Sequence, residues 1–267
     1  MIMSNESPNT FSVIPELPNS VDNALKNLTD KPTQNAGNTI ADIWYLVFGG
    51  ISHAADKRKM KYAADLEQYR QSLNQSIASI PEAKKIEPSI QVAAQALENS
   101  KYCVSSETLR NMFVKLITGT MNSDIEPLTH PSFPEMIKQM SEYDALLLKE
   151  LSQTTELYFP IAEYHEIFTE NDGFFTLFSN AYISNIYNLS LDNCSCALTS
   201  LERMGLITIS YDEYLTDDSK YLAFKNTTTY KELSSFVNQL NRNSHIDIQK
   251  GLCRITPLGK QFIKVCV

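Results

Sequence analysis

The sequence predicts a mainly α fold: a helical N-terminal and central region, then a winged-helix-like C-terminal domain with a small β-hairpin. Three observations carry this. Apolar residues recur at three- and four-residue spacing along much of 39–155. Two serines, Ser132 and Ser141, each precede an acidic residue by three positions, as at helix starts. Near the end the order is helix, β-rich run, β-rich run, helix, which is the order of a winged helix-turn-helix. The 267 residues are 43% apolar and 20% charged, a globular composition. No apolar run nears 18 residues, so no spanning helix is expected. The opening MIMSNESPNT lacks the basic and apolar parts of a secretory leader. Five cysteines, an odd count, suit reduced thiols in the cytoplasm. A formal charge of −8 argues against a strong nucleic-acid binder.

Residues 1–38, rich in Ser, Asn, Pro and Thr, read as a flexible N-terminal arm. An α-helical domain is expected over 39–155, and a winged-helix-like domain over 156–267 with an insertion at 212–252. Thr39 is placed to cap a helix bearing Ile40, Ile43, Trp44, Val47 and Phe48, and Gly49-Gly50 interrupts it. A polar helix follows with Leu66, Tyr69, Leu73 and Ile77 as a narrow seam, stopped by Pro81. Pro88 opens an alanine-rich helix. Ser105-Ser106 precede a strong stripe, Leu109, Met112, Phe113, Leu116, Ile117 and Met121. Short helices follow at about 133–140 and 142–152. The segment 157–190 is dense in aromatic residues and receives no element. Ser190 caps a helix ending at Gly205, placed as its left-handed stop. Residues 206–211 read as a strand with 253–256 as its returning partner. The insertion holds a candidate helix with Leu233, Phe236, Val237 and Leu240. Thr256-Pro257 open the last helix.

The middle of the chain runs Leu109-Arg110-Asn111-Met112-Phe113, Leu116, Ile117 and Gly119 to Asn122. His130-Pro131-Ser132-Phe133, Glu135 to Ser141, Asp144-Ala145 and Leu147-Leu148 follow. The end has Leu201-Glu202-Arg203-Met204-Gly205-Leu206-Ile207 and Thr256-Pro257-Leu258-Gly259-Lys260-Gln261-Phe262. Over about 40–267 this resembles the Abi-alpha family of bacterial proteins, named for abortive infection. The resemblance implies a role in phage defence. It supplies no catalytic residue to carry over, and Arg110, Phe113, His130, Pro131, Phe133, Asp144, Gly205, Thr256, Gly259 and Phe262 are expected to be structural.

Site chemistry is sparse. His130 has no second His or Cys nearby in sequence, and one such residue makes neither a triad nor a metal site. Tyr164-His165-Glu166 lacks the second histidine of a zinc-protease helix, since Thr169 stands there. Cys194 and Cys196, two apart on one helix, point about 200° apart and cannot share an ion. Phosphate loops and nucleophile elbows are missing. No catalytic, cofactor or metal residue is therefore named, no small-molecule substrate is identified, and no enzyme is expected.

Partners follow from charge and amphipathicity. The helix at 191–204 sets Asp192 and Glu202 against Arg203 alone, a poor phosphate reader. The expectation is a cytoplasmic defence protein acting through a protein partner or self-association, without specific nucleic-acid binding. One alternative is a winged-helix transcription regulator. Another is a peripheral effector at the inner face of the membrane: Trp44 on its apolar stripe, followed by Lys57, Arg58, Lys59 and Lys61, would suit an anionic membrane surface.

Overall fold

The computed structural model describes residues 36–48, 57–154, 156–171, 173–240 and 242–267, with side chains from 39 to 48 and from 61 onward. All but the last three residues of the expected arm, and Gly49-Gly50, lie outside the described residues.

Among the described residues six α-helices come first: α1 (Ala36–Phe48), α2 (Lys57–Ala78), α3 (Ile90–Ser100), α4 (Glu107–Gly119), α5 (Phe133–Gln139) and α6 (Glu142–Ser152). Their starts follow local chemistry. Ser106 accepts the Leu109 N–H, and Ser141 forms a full capping box with Asp144, satisfying first-turn donors that would otherwise be unpaired. Two expectations fail here. Helix α1 begins at Ala36, so Thr39 lies inside it. Ser132 makes no capping bond, because its backbone is already helical and its hydroxyl lies 2.7 Å from His130 Nδ1.

The rest of the chain overturns the winged helix and the mainly α class. Among the described residues four strands, β1 (Phe159–Phe168), β2 (Phe174–Ala181), β3 (Ile207–Ser210) and β4 (Ser244–Ile255), form one antiparallel sheet in the order β2-β1-β4-β3. The expected pair exists, with Ile207 opposite Ile255. It is only a corner of the sheet, because β1 pairs with β4 along the whole of β1, from Phe159–Cys253 to Phe168–Ser244. The architecture is mixed α and β. Helices α7 (Leu191–Arg203), α8 (Ser219–Leu222), α9 (Thr228–Gln239) and α10 (Pro257–Cys266) complete it.

Alternation along β1 divides the sheet between two cores. Phe159 and Ile161 face the large core with α1–α7 and α10, where Phe113, Phe133, Leu147 and Phe262 are fully buried. Ala162 and Tyr164 face a smaller one closed by the 212–243 segment, through Tyr221, Phe224, Tyr230 and Leu233. The sheet is curled. Helix α7 packs on both β2 and β3, which are its two outer strands, and the Tyr211 hydroxyl just after β3 bridges to Asn180 near the end of β2.

Candidate functional site

The strongest polar grouping lies on the concave side of the curled sheet, built from β1 and its neighbours. Glu163 and His165 are two apart on β1 and share a face; Glu163 Oε2 is 2.9 Å from His165 Nε2. Directly across on β2 is Thr176, whose hydroxyl is 3.3 Å from the same Nε2. The imidazole is buried and stacked flat on Phe174, with ring centroids 4.3 Å apart. Nearer the large core, Tyr211 donates to Asn180 Oδ1 at 2.9 Å and accepts the Asn180 N–H at 3.1 Å. Burial pushes the Tyr211 phenol up, and the Glu163 carboxylate adds to it.

This grouping is held by hydrogen bonds but is not arranged for proton relay. A relay histidine gives one ring nitrogen to the carboxylate and the other to the nucleophile. Here carboxylate and hydroxyl compete for Nε2. The strand also separates the Tyr164-His165-Glu166 run: Glu166 turns to the opposite face, buried, accepting from Ser244 Oγ at 2.7 Å with Arg242 3.8 Å away. Tyr164 donates to Phe224 O at 3.1 Å on that same side.

A second feature is an open cleft of about 460 Å³ between α2, α4, α6 and the end of α10, with Glu107, Lys115, Glu142 and Lys149 among its lining. The Lys115 ammonium bonds the Val267 carbonyl. Neither the cleft nor the His165 pair stood out in the sequence.

The ten residues singled out by resemblance are placed at junctions. Arg110 is buried on α4, donating to Val104 O at 2.7 Å and to Gln68 of α2 at 3.1 Å, with Asp65 at 3.9 Å. Phe113 is core. His130 is exposed and takes the Ser132 N–H on Nδ1 at 3.2 Å, closing its own turn; Pro131 beside it is exposed as well. Phe133 meets Phe262 edge-on at 5.0 Å, tying α5 to α10. Asp144 accepts from Ser141 N at 2.7 Å and from Ser200 Oγ of α7 at 3.0 Å, linking the helical half to the helix on the sheet. Gly205 ends α7 with φ +73°. Thr256 donates to Gly205 O at 2.6 Å and accepts the Gly259 N–H at 2.9 Å. None of the ten lines the cleft.

Residues 61–266 match the protein family described as abortive infection alpha. The chain belongs to that family. No curated protein matches the sequence. Among solved structures, an uncharacterized protein from the hydrocarbon-degrading marine bacterium Alcanivorax borkumensis SK2 is similar at 17% identity, with a TM-score of 0.32, covering 54% of this chain and 94% of that one. The abortive infection alpha match takes in every one of the ten junction residues and leaves α1 outside it.

Cys194 is buried and Cys196, on the same helix, is exposed. Burial, with Glu150 nearby, pushes the Cys194 thiol up to about 11. Helix α7 belongs to the mixed α and β fold, not to a winged module: Cys194, Ala197, Leu198 and Leu201 are its buried face, and Glu202 accepts the Ile209 N–H at 2.9 Å. Ile40, Ile43, Val47 and Phe48 are buried, and Trp44 packs on Phe48 and Tyr69 at 4.5 and 5.1 Å. Lys61 is exposed; the side chains of Lys57, Arg58 and Lys59 lie outside the described residues. No helix among the described residues is long and apolar enough to cross a membrane. Sequence reasoning missed Glu150, which accepts from Ser184 Oγ at 2.5 Å and Asn185 N at 2.9 Å. Asn180, at φ 54°, was the local signal for the missed end of β2, since asparagine tolerates that conformation.

Proposed function

We propose that this chain serves an abortive-infection response in the bacterial cytoplasm through contacts of its folded surface with protein, and does not act as a catalyst. The observation that supports this best is the concave-face histidine, whose carboxylate and hydroxyl neighbours share one ring nitrogen. Such a histidine has no relay to offer a nucleophile. The junction roles of Arg110, Phe133, Asp144, Thr256 and Gly259 agree with it, because a scaffold for contacts needs a rigid frame more than a reactive centre.

The test is phage challenge of cells expressing the chain. His165→Gln and the double variant Lys115→Ala/Lys149→Ala, each verified to melt as the parent does, are expected to keep protection. Loss of protection in a well-folded His165→Gln chain would refute the contact reading and turn attention back to the imidazole.

A further inference from the structure

The abortive infection alpha match begins at residue 61, so Tyr69 of α2 and all of α3 lie in the family body while α1 lies outside it. Yet α1 fills part of the core. Ile40, Ile43, Val47 and Phe48 are buried. The helix packs along α3, whose buried face is largely alanine. Trp44 and Phe48 close over the Tyr69 ring, with centroids 5.1 and 6.3 Å away. The groove between α2 and α3 therefore has a visible occupant, supplied by a segment the family body does not include.

Two further features set α1 apart from the helices beneath it. Its 13 residues carry one charge, Asp42, and its outer side shows Tyr45 at 74% and Leu46 at 43% exposure. A helix of that length is marginal by itself in water, so α1 leaves its seat by unfolding. The second feature is Tyr69, fully buried, whose hydroxyl makes no hydrogen bond among the described residues. The Ser100 hydroxyl beside it donates to Leu97 O at 2.7 Å instead. A buried hydroxyl left unbonded is costly. Trp44 and Phe48 hold the ring in that position, and lifting α1 frees it to turn toward water. The closed state thus carries a penalty that the open state sheds.

We infer that α1 is a self-docked cover, opening as one unit ahead of the domain and baring a groove on α2 and α3 that accepts an amphipathic helix. The occupant is a helix of α1's own pattern, apolar at the spacing of Ile40, Ile43, Trp44, Val47 and Phe48, because the groove is already shaped to that stripe. Tethering keeps the local concentration of α1 high and the groove closed at rest. A partner helix displaces it by binding only the open form. This deepens the contact reading above, giving it a surface, and rests on it for its biological meaning.

The experiment reads the full chain first. Trp44, the single tryptophan, reports the groove, and far-ultraviolet circular dichroism reports the helices and sheet. The Trp44 transition is expected at lower urea than the circular dichroism transition. In hydrogen exchange the amides of 40–48 are expected to open together, at least about 30-fold more often than those of α3 and α4. Ile43→Asp puts a carboxylate into the seat and is expected to hold α1 open. A fluorescein-labelled peptide of residues 36–48, with lysines added for solubility, is expected to bind that chain at least about tenfold more tightly than the parent, where the tethered helix competes. Coincident urea transitions would overturn the inference. So would exchange that slows steadily from Ala36 inward, which is fraying, or a peptide that binds both chains equally or neither. Should Ile43→Asp not fold, the parent's urea and exchange measurements decide alone. None of these readings uses phage, so the inference can fail while the protection result stands.

Discussion

Replacing Gly259 with alanine would place a methyl carbon 2.0 Å from the Leu206 carbonyl oxygen and 2.9 Å from Ile255 Cγ2. Helix propensity alone favours the change by about 1 kcal/mol, so the sign of the measured effect separates local preference from packing. An ordinary carbon–oxygen contact needs the start of α10 to move by more than about 1 Å, which a close-packed interior resists. The movement would also disturb the Thr256 bonds to Gly205 O and from Gly259 N. Two hydrogen bonds at about 1 kcal/mol each and overpacking of about 1–3 kcal/mol, less the propensity gain, give a net loss of about 2–4 kcal/mol. For a chain of this size that lowers Tm by on the order of 10 °C. Urea unfolding with matched thermal melts measures it. Gly173→Ala is the control: its nearest neighbour is the Asn171 side chain at 2.9 Å, the movable end of an exposed residue, and a change within about 0.5 kcal/mol is expected. A Gly259→Ala chain as stable as the parent would refute the argument, as would equal losses at the two glycines.

Asp144→Ala removes bonds to Ser141 N and Ser200 Oγ and is expected to cost about 2–3 kcal/mol; combined with Ser200→Ala in a denaturant cycle it should show non-additivity, and strict additivity would mean the interhelix bond contributes nothing. His130→Ala loses only a turn-closing contact on an exposed ring and is expected to lower stability by less than about 1 kcal/mol while keeping phage protection; a fully stable variant without protection would mark a functional site. In the native chain at pH 8 a thiol reagent should modify Cys196 rapidly and the buried Cys103, Cys194, Cys253 and Cys266 only on unfolding. Burial holds the Cys194 and Cys253 thiols up at about 11 and about 12, so above about pH 9 the unfolded chain binds fewer protons than the folded one. Stability should therefore fall as pH rises from about 9 toward those values, and a flat melting profile there would contradict it. Trp44, the single tryptophan, should emit blue-shifted at rest and stay so with anionic vesicles; a further shift reversed by salt would reopen the lipid alternative.

The helical half was legible because its signals are local. The Leu109–Ile117 stripe lies within one helix, the Ser141–Asp144 box and the Gly205 stop within a turn of the chain, and each appears in the structure as read. The sheet was not legible for an opposite reason. β1 buries both faces, so Phe159, Ile161, Ala162 and Tyr164 show no clean alternation. The bulge at Leu177 breaks the period of β2, and its partner relation to β1 is strengthened by β4, some eighty residues on. The pair read at 206–211 and 253–256 exists as 207–210 against 252–255, and its meaning changes because β1 stands between β4 and β2. The concave-face cluster was hidden likewise. His165 stood out as a residue, but Thr176, Phe174 and Tyr211 reach it only through pairings and curl that no short window contains. Ser132 failed as a cap because a neighbouring imidazole took its hydroxyl.

The position of β4 in the chain also sets the order in which the protein can fold. Apart from the β1–β2 hairpin, each strand pairing in the sheet requires residues 244–255, and the seating of Phe133 against Phe262 waits for α10. During synthesis the helices can form as they emerge, but the hairpin must persist with its inner edge open until the last strand arrives. Long-range pairing of that kind is slow, and an exposed strand in the interim invites the wrong partner. A nascent chain held on the ribosome before β4 should therefore be a client of chaperones, and a cell that halts translation under attack would leave this protein unfinished at its most adhesive stage.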